Sequence, residues 1–135
     1  ASNKGLLYKI KLIDGFTVWT KRIGSAENII ECPMFIYNNN IINSNFNNRI
    51  QIINIDNGSI IDKIKLDYPV SVKPIINKNF MIIADKGGNI ISYDIKEQRI
   101  KWKTLTAGIN INPIINNNTN NIYINGIKPL NSLKS

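Results

Sequence analysis

The sequence predicts an all-β chain assembled from a repeat of about forty residues, and three observations carry that expectation. A proline marks each copy: Pro33 in Ile30-Glu31-Cys32-Pro33-Met34-Phe35-Ile36, Pro74 in Val72-Lys73-Pro74-Ile75-Ile76, and Pro113 in Ile111-Asn112-Pro113-Ile114-Ile115. The markers fall 41 and 39 residues apart, and self-similarity at such a period belongs to repeat architectures. The apolar residues, 43% of the 135, are mostly isoleucine, whose branched β-carbon fits a pleated, half-buried surface better than a helix. Punctuation is the third observation. Asp14-Gly15, Asn57-Gly58, Gly87-Gly88-Asn89 and Asn125-Gly126 set residues that accept positive φ between short apolar runs, as tight antiparallel turns require.

Taken in order, twelve strands are expected and no helix. Leu6 to Leu12 alternates Leu7, Lys9 and Lys11 against Tyr8, Ile10 and Leu12, the period of a strand, and Asp14-Gly15 turns it into Thr17 to Ile23. Ile29 to Tyr37 contains the first proline, and a polar turn leads from it into Asn40 to Ser44. Ile50 to Ile55 and Ile60 to Leu66 flank Asn57-Gly58. The cycle then repeats with Val70 to Asn77, Phe80 to Ala84, Asn89 to Ile95 and Arg99 to Leu105, the last alternating Ile100 and Trp102 against Lys101 and Lys103. Ile109 to Asn116 and Ile122 to Asn125 begin a further cycle. The asparagine patches at Asn38-Asn39-Asn40, Asn43 to Asn48 and Asn116 to Asn121 fall where turns are due, so they are enlarged turns and not linkers. No apolar run approaches the roughly 20 residues of a bilayer-spanning helix. Ala1-Ser2-Asn3-Lys4-Gly5 leads straight into a strand without a signal pattern, so an exported protein would carry its targeting segment outside this sequence.

Four antiparallel strands per forty residues, with no intervening helix, describe the blade of a β-propeller. The expected fold is therefore an all-β propeller of four-stranded antiparallel blades, about three blades' worth, in a single fragment over 1–135. Its blade parts are 6–23 (two outer strands), 29–66 and 70–105 (whole blades) and 109–125 (two inner strands). Propellers close with roughly four or more blades. An open set would expose apolar faces and unpaired edges, so the chain is expected either to belong to a larger propeller or to self-associate with its half-blades buried.

A second register runs between the prolines. Aligned on Gly15, Gly58 and Gln98, the residue four positions on is Trp19, Asp62 and Trp102. Gly88-Asn89-Ile90-Ile91-Ser92-Tyr93 followed by Asp94 to Trp102 resembles the repeat of the PQQ-like (quinoprotein-like) propellers, roughly G-x-hydrophobic-x-A-hydrophobic-D-x-x-T-G-x-x-x-W. The likeness extends over nearly the whole chain. It departs at Gln98, where the pattern has glycine, at Asp62, where it has tryptophan, and at Cys32, Lys73 and Asn112, where serine usually precedes the proline. The resemblance implies that Gly15, Trp19, Pro33, Gly58, Pro74, Trp102 and Pro113 are structural anchors of the repeat, with each tryptophan packed on the neighbouring blade.

Members of that superfamily include quinone-dependent dehydrogenases, the BamB family of outer-membrane-protein assembly lipoproteins and the luminal domains of unfolded-protein sensor kinases. The dehydrogenases hold the quinone under a disulfide of adjacent cysteines, and this chain has one cysteine. Cys32, beside a proline on an apolar strand, is expected to be a small buried hydrophobe. It lacks the preceding small residue of a lipid-attachment site. With no histidine, a Ser-His-Asp or Cys-His catalytic set and imidazole metal sites are ruled out. Asp14, Asp56 and Asp94 recur in the same turn and are expected to accept turn amide hydrogens. Glu27 and Glu31 lie in a connection, and Asp85-Lys86-Gly87-Gly88-Asn89 is too short to gather ligands for calcium.

The sequence thus points to a non-enzymatic protein without catalytic, cofactor or metal residues. Lys and Arg number 17 against 9 acidic residues, a net charge of +8, which favours anionic surfaces such as membrane headgroups. Lys21 and Arg22, Lys63 and Lys65, and Lys101 and Lys103 fall on the strand class at the outer blade edge, where charge discourages edge pairing, and no nucleic-acid motif is visible. The most economical expectation is a BamB-like scaffold at the periplasmic side of an outer membrane, with the barrel-insertion machinery or unfolded β-barrel chains as partners. Two other readings stand beside it. One is a stress-sensing luminal domain in the endoplasmic reticulum, for which Asn57-Gly58-Ser59 and Asn117-Asn118-Thr119 would be glycosylation sequons. The other is a non-catalytic quinoprotein fragment.

Overall fold

The computed structural model describes residues 5–24, 34–44, 48–106 and 113–124, which hold twelve strands and no helix. The chain divides into two compact units, Ala1–Lys65 and Leu66–Ser135.

The first unit contains a hairpin of β1 (Leu6–Ile10) and β2 (Thr17–Arg22), and a four-stranded antiparallel sheet. That sheet runs β3 (Phe35–Tyr37), β4 (Asn40–Asn43), β5 (Arg49–Asn54) and β6 (Ile60–Lys65) in sequence order. A two-residue turn joins β3 to β4, with Asn38 at φ 45° and Asn39 at φ 61°. Both central residues are left-handed, which matches the strand twist of a hairpin and which asparagine tolerates. Leu7, Ile23 and Ile53 form a buried cluster with Trp19, Met34, Ile41 and Ile60 against it, so one face of the hairpin lies on the sheet. A buried polar relay joins them as well. Asn43 Nδ2 donates to Gln51 Oε1 across β4 and β5 at 2.9 Å, and Gln51 Nε2 donates to the carbonyl of Ile23.

The second unit repeats the plan. Its sheet runs β7 (Ile75–Asn77), β8 (Phe80–Ala84), β9 (Asn89–Asp94) and β10 (Arg99–Leu105), and β9 is buried along its whole length. A second hairpin, β11 (Ile114–Asn116) and β12 (Asn121–Tyr123), packs on that sheet through Ile115, Ile122 and Ile124, which meet Ile82, Ala84 and Ile90. At the position of the Asn43–Gln51 pair, this sheet sets Ile83 opposite Ile91.

The proline-led strands are shorter than the sequence implies. Pairing begins only after Pro74 and Pro113, at Ile75 and Ile114, because proline offers no amide hydrogen to a ladder. Val70 instead makes one isolated bridge to Asp85. Residues 29–33 and 109–112, with Pro33 and Cys32 among them, lie outside the described residues, as do Glu27, Glu31 and Asn125-Gly126.

Candidate functional site

The turn closing each outer strand pair builds the candidate site. Gly15 N donates to Lys11 O and Gly58 N to Asn54 O, both at 2.9 Å, and each glycine sits at φ 75°. Gln98 holds the same slot at φ 56°, a left-handed conformation costing a non-glycine residue about 1 kcal/mol. Lys11, Asn54 and Asp94 are therefore equivalent, and Asp14, Asp56 and Asp94 lie in the same turn, as expected, at different offsets from the slot. Asn54 Oδ1 accepts from the amides of Asp56 and Asn57, and Asp94 Oδ1 accepts from that of Glu97. Asp14 Oδ1 accepts from Phe16 N as Asn57 Oδ1 does from Ser59 N. Asp56 turns outward and accepts from Asn39 Nδ2 at 3.2 Å. The acceptor role belongs to Asn or Asp at fixed offsets, which a search for aspartates alone misses.

Four residues beyond the slot stand Trp19 on β2 and Trp102 on β10, in different surroundings. Trp19 is half-buried on the Leu7–Ile23–Ile53 cluster. Gly58, from the β5–β6 turn, lies against it: a β-carbon there would stand 2.9 Å from Trp19 Cζ3 and 2.5 Å from Lys21 Cγ. The Trp19 indole nitrogen is buried without a hydrogen-bond partner among the described residues, so packing holds this ring. Trp102 is 42% exposed. It lines a cleft of about 280 Å³ with Phe80, Ile82, Ile115 and Ile122 as its apolar wall and Asn77, Lys78, Ser92 and Asn120 as its polar groups. Asn77 Nδ2 donates to Asn117 Oδ1 at 2.6 Å and ties β7 to the β11–β12 turn beside it.

Beside Trp102 on β10, Lys101 Nζ and Arg99 Nε each lie 2.7 Å from Glu97 Oε2. The hydrogen bonds from Lys101 and Arg99 hold that carboxyl well below its ordinary 4.5, at about 2. Lys103 Nζ meets Asp67 Oδ2 at 2.9 Å. The Asp85–Asn89 loop is occupied by its own donors. Asp85, fully buried, accepts from Gly87 N, Asn89 N and Asn89 Nδ2. The described residues contain no cluster of three metal-ligating side chains and no helix long and apolar enough to cross a membrane.

No protein-family model matches the chain, and no curated protein matches it in sequence. Solved structures do resemble it. BamB from Moraxella catarrhalis aligns with 93% of this chain at a TM-score of 0.66 and 12% identity, and Saccharomyces cerevisiae Sqt1 aligns with 84% at 0.68 and 13%. The chain spans 47% of the BamB chain and 32% of the Sqt1 chain. Both are β-propellers. The chain folds as part of a β-propeller. β3–β6 and β7–β10 each have the four antiparallel strands of a blade, β1–β2 carries the turn found between β5 and β6, and β11–β12 aligns with β7–β8. Pro74 and Pro113 are buried immediately before the innermost strands β7 and β11, and Gly15 and Gly58 lie in the turns between the two outer strands.

Proposed function

We propose that this chain is a non-enzymatic protein-binding scaffold of the BamB kind, an accessory in the assembly of outer-membrane β-barrel proteins that works at the periplasmic face of the membrane. The observation that carries the reading is the propeller fold, alike to BamB over 93% of the chain, combined with apolar side chains left open on strand edges and turns. Leu12, Ile13 and Phe16 at one hairpin tip are 104%, 92% and 66% exposed, a surface suited to contact with another protein. The net charge of +8 adds attraction to anionic headgroups beside such a partner.

The test is direct binding of the 135-residue chain to the purified barrel-insertion subunit and to an unfolded outer-membrane barrel protein kept in solution in urea. Saturable binding to either supports the scaffold role. No binding to either, or retention instead on nucleic acid at salt above about 0.2 M, overturns it.

A further inference from the structure

One corner of the first sheet holds three cations that edge protection does not account for. Across β5 and β6, Lys63 lies opposite Gln51 and Lys65 opposite Arg49, and the irregularity of this pair falls further on, between Ile52 and Ile53. Residues two apart on a strand share a face, so Arg49, Lys63 and Lys65 stand together on the face from which Gln51 reaches the Ile23 carbonyl. All three are exposed. Lys63 and Lys65, on an outermost strand, would keep an edge from pairing. Arg49 cannot serve that end, because β5 has a neighbouring strand on each side. Directly opposite residues have β-carbons about 4.5–5.5 Å apart, and like charges there destabilise a sheet. The second sheet solves the same corner differently. Matched from Ile53–Ile60 and Tyr93–Ile100, the counterparts of Arg49 and Lys65 are Asn89 and Leu105, again opposite one another. Lys103, the counterpart of Lys63, is paired with Asp67 at 2.9 Å. Among the described residues the ion pairs all lie in the second unit, and none involves Arg49, Lys63 or Lys65.

We propose that Arg49, Lys63 and Lys65 form a docking site for the phosphate groups of anionic phospholipid headgroups, which sets this corner of the first sheet against a membrane surface. The inference rests on the reading of the chain as a scaffold at a membrane face, and it names the side chains that meet the lipid. A headgroup phosphate accepts hydrogen bonds from guanidinium and ammonium groups alike, and its charge removes the repulsion among the three cations. The open corner suits such a ligand. An extended anionic surface reaches exposed side chains without the need for a cavity, and each cation held there strengthens binding about fivefold. The paired cations of β10 lack that advantage, because Glu97 and Asp67 already offset them.

Co-sedimentation of the 135-residue chain with vesicles tests the site. Binding is expected to vesicles of phosphatidylcholine and phosphatidylglycerol in equal parts and not to phosphatidylcholine alone, and it should weaken as salt rises from about 0.05 to about 0.5 M. The variant Arg49→Gln with Lys63→Gln and Lys65→Gln should bind about a hundredfold more weakly. Arg99→Gln with Lys101→Gln and Lys103→Gln removes the same charge from the ion-paired strand and should cost about fivefold at most. The first variant should also keep or raise the urea midpoint of the parent chain, since it relieves repulsion. No binding to the mixed vesicles, equal loss in the two variants, a lowered urea midpoint in the first, or displacement by inorganic phosphate at matched ionic strength each overturns the proposal. Its failure is distinct from that of the scaffold reading: binding to the barrel-insertion subunit without binding to vesicles sinks the lipid site alone, and the reverse sinks the scaffold role alone.

Discussion

Alanine at Gly58 and at Gly15 makes a controlled pair, because both residues sit at φ 75° and differ only in what a β-carbon meets. The backbone penalty is common to both, about 1 kcal/mol for a left-handed non-glycine residue. At Gly15 nothing lies within 4 Å, so that is the whole cost. At Gly58 the new carbon comes within 2.9 and 3.0 Å of the Trp19 ring and 2.5 Å of Lys21 Cγ, against an ordinary carbon contact of about 3.5–4.0 Å. Lys21 can swing away. Trp19 is backed by Leu7, Ile23 and Ile53, so relief requires repacking, at about 1–3 kcal/mol. Gly58→Ala should therefore cost about 2–4 kcal/mol and Gly15→Ala about 1. Urea denaturation measures both. In a Trp19→Ala background the Gly58→Ala cost should fall to the backbone value, a coupling readable in a double-mutant cycle. Equal costs at the two glycines, or a coupling near zero, would refute the account of Trp19 as a ring wedged under the Gly58 turn.

Three further outcomes follow from single contacts. Glu97, held at about 2 by Lys101 and Arg99, contributes stability that is full above the unfolded value of 4.5 and lost as pH falls through the folded one; a carboxyl NMR titration with a midpoint above 4 would contradict this. Asp85→Ala strips the acceptors from Gly87 N, Asn89 N and Asn89 Nδ2 and should cost about 2–4 kcal/mol in urea denaturation, with Asp85→Asn costing less because one oxygen remains. Gln51→Leu should cost about 1–3 kcal/mol by removing the acceptor of Asn43 Nδ2 and the donor to the Ile23 carbonyl, and Asn43→Ile with Gln51→Ile should cost less than the sum of the two single changes, since Ile83 and Ile91 fill the same cross-strand pair in the other sheet.

The strand pattern was legible because each strand is short, β-branched and bounded by residues with a distinct φ preference. Twelve strands were expected and twelve stand among the described residues, with the Asn38-Asn39 turn left-handed at both centres. The glycine slot was legible for the same reason, and Gln98 occupies it with positive φ although its side chain argues against it. What stayed hidden depends on the partners of a side chain. Lys11 shares no side-chain chemistry with Asn54 and Asp94, so the equivalence of the three emerges only from the backbone of the turn. The Asn43–Gln51 relay is invisible in sequence because both residues resemble the surrounding asparagine bias until burial is known. Trp19 and Trp102 look alike in sequence, and only the neighbour at Gly58 separates the covered ring from the open one.

The placement of charge on the strands separates edges to be kept apart from edges that can pair. On β6 and β10, the outermost strands of the two blades, Lys63, Lys65, Lys101 and Lys103 stand exposed, and β2, which matches them, exposes Lys21 and Arg22. Such cations block edge-to-edge addition. Among the described residues β1 and β12 each pair with one strand, and they carry Leu7, Tyr8, Lys9 and Ile10 on one and Asn121, Ile122 and Tyr123 on the other, a single cation between them. If all edges were equally exposed to solvent in the functional state, the same protection would be expected on each. Its concentration on β2, β6 and β10 marks those three edges as the ones kept from pairing.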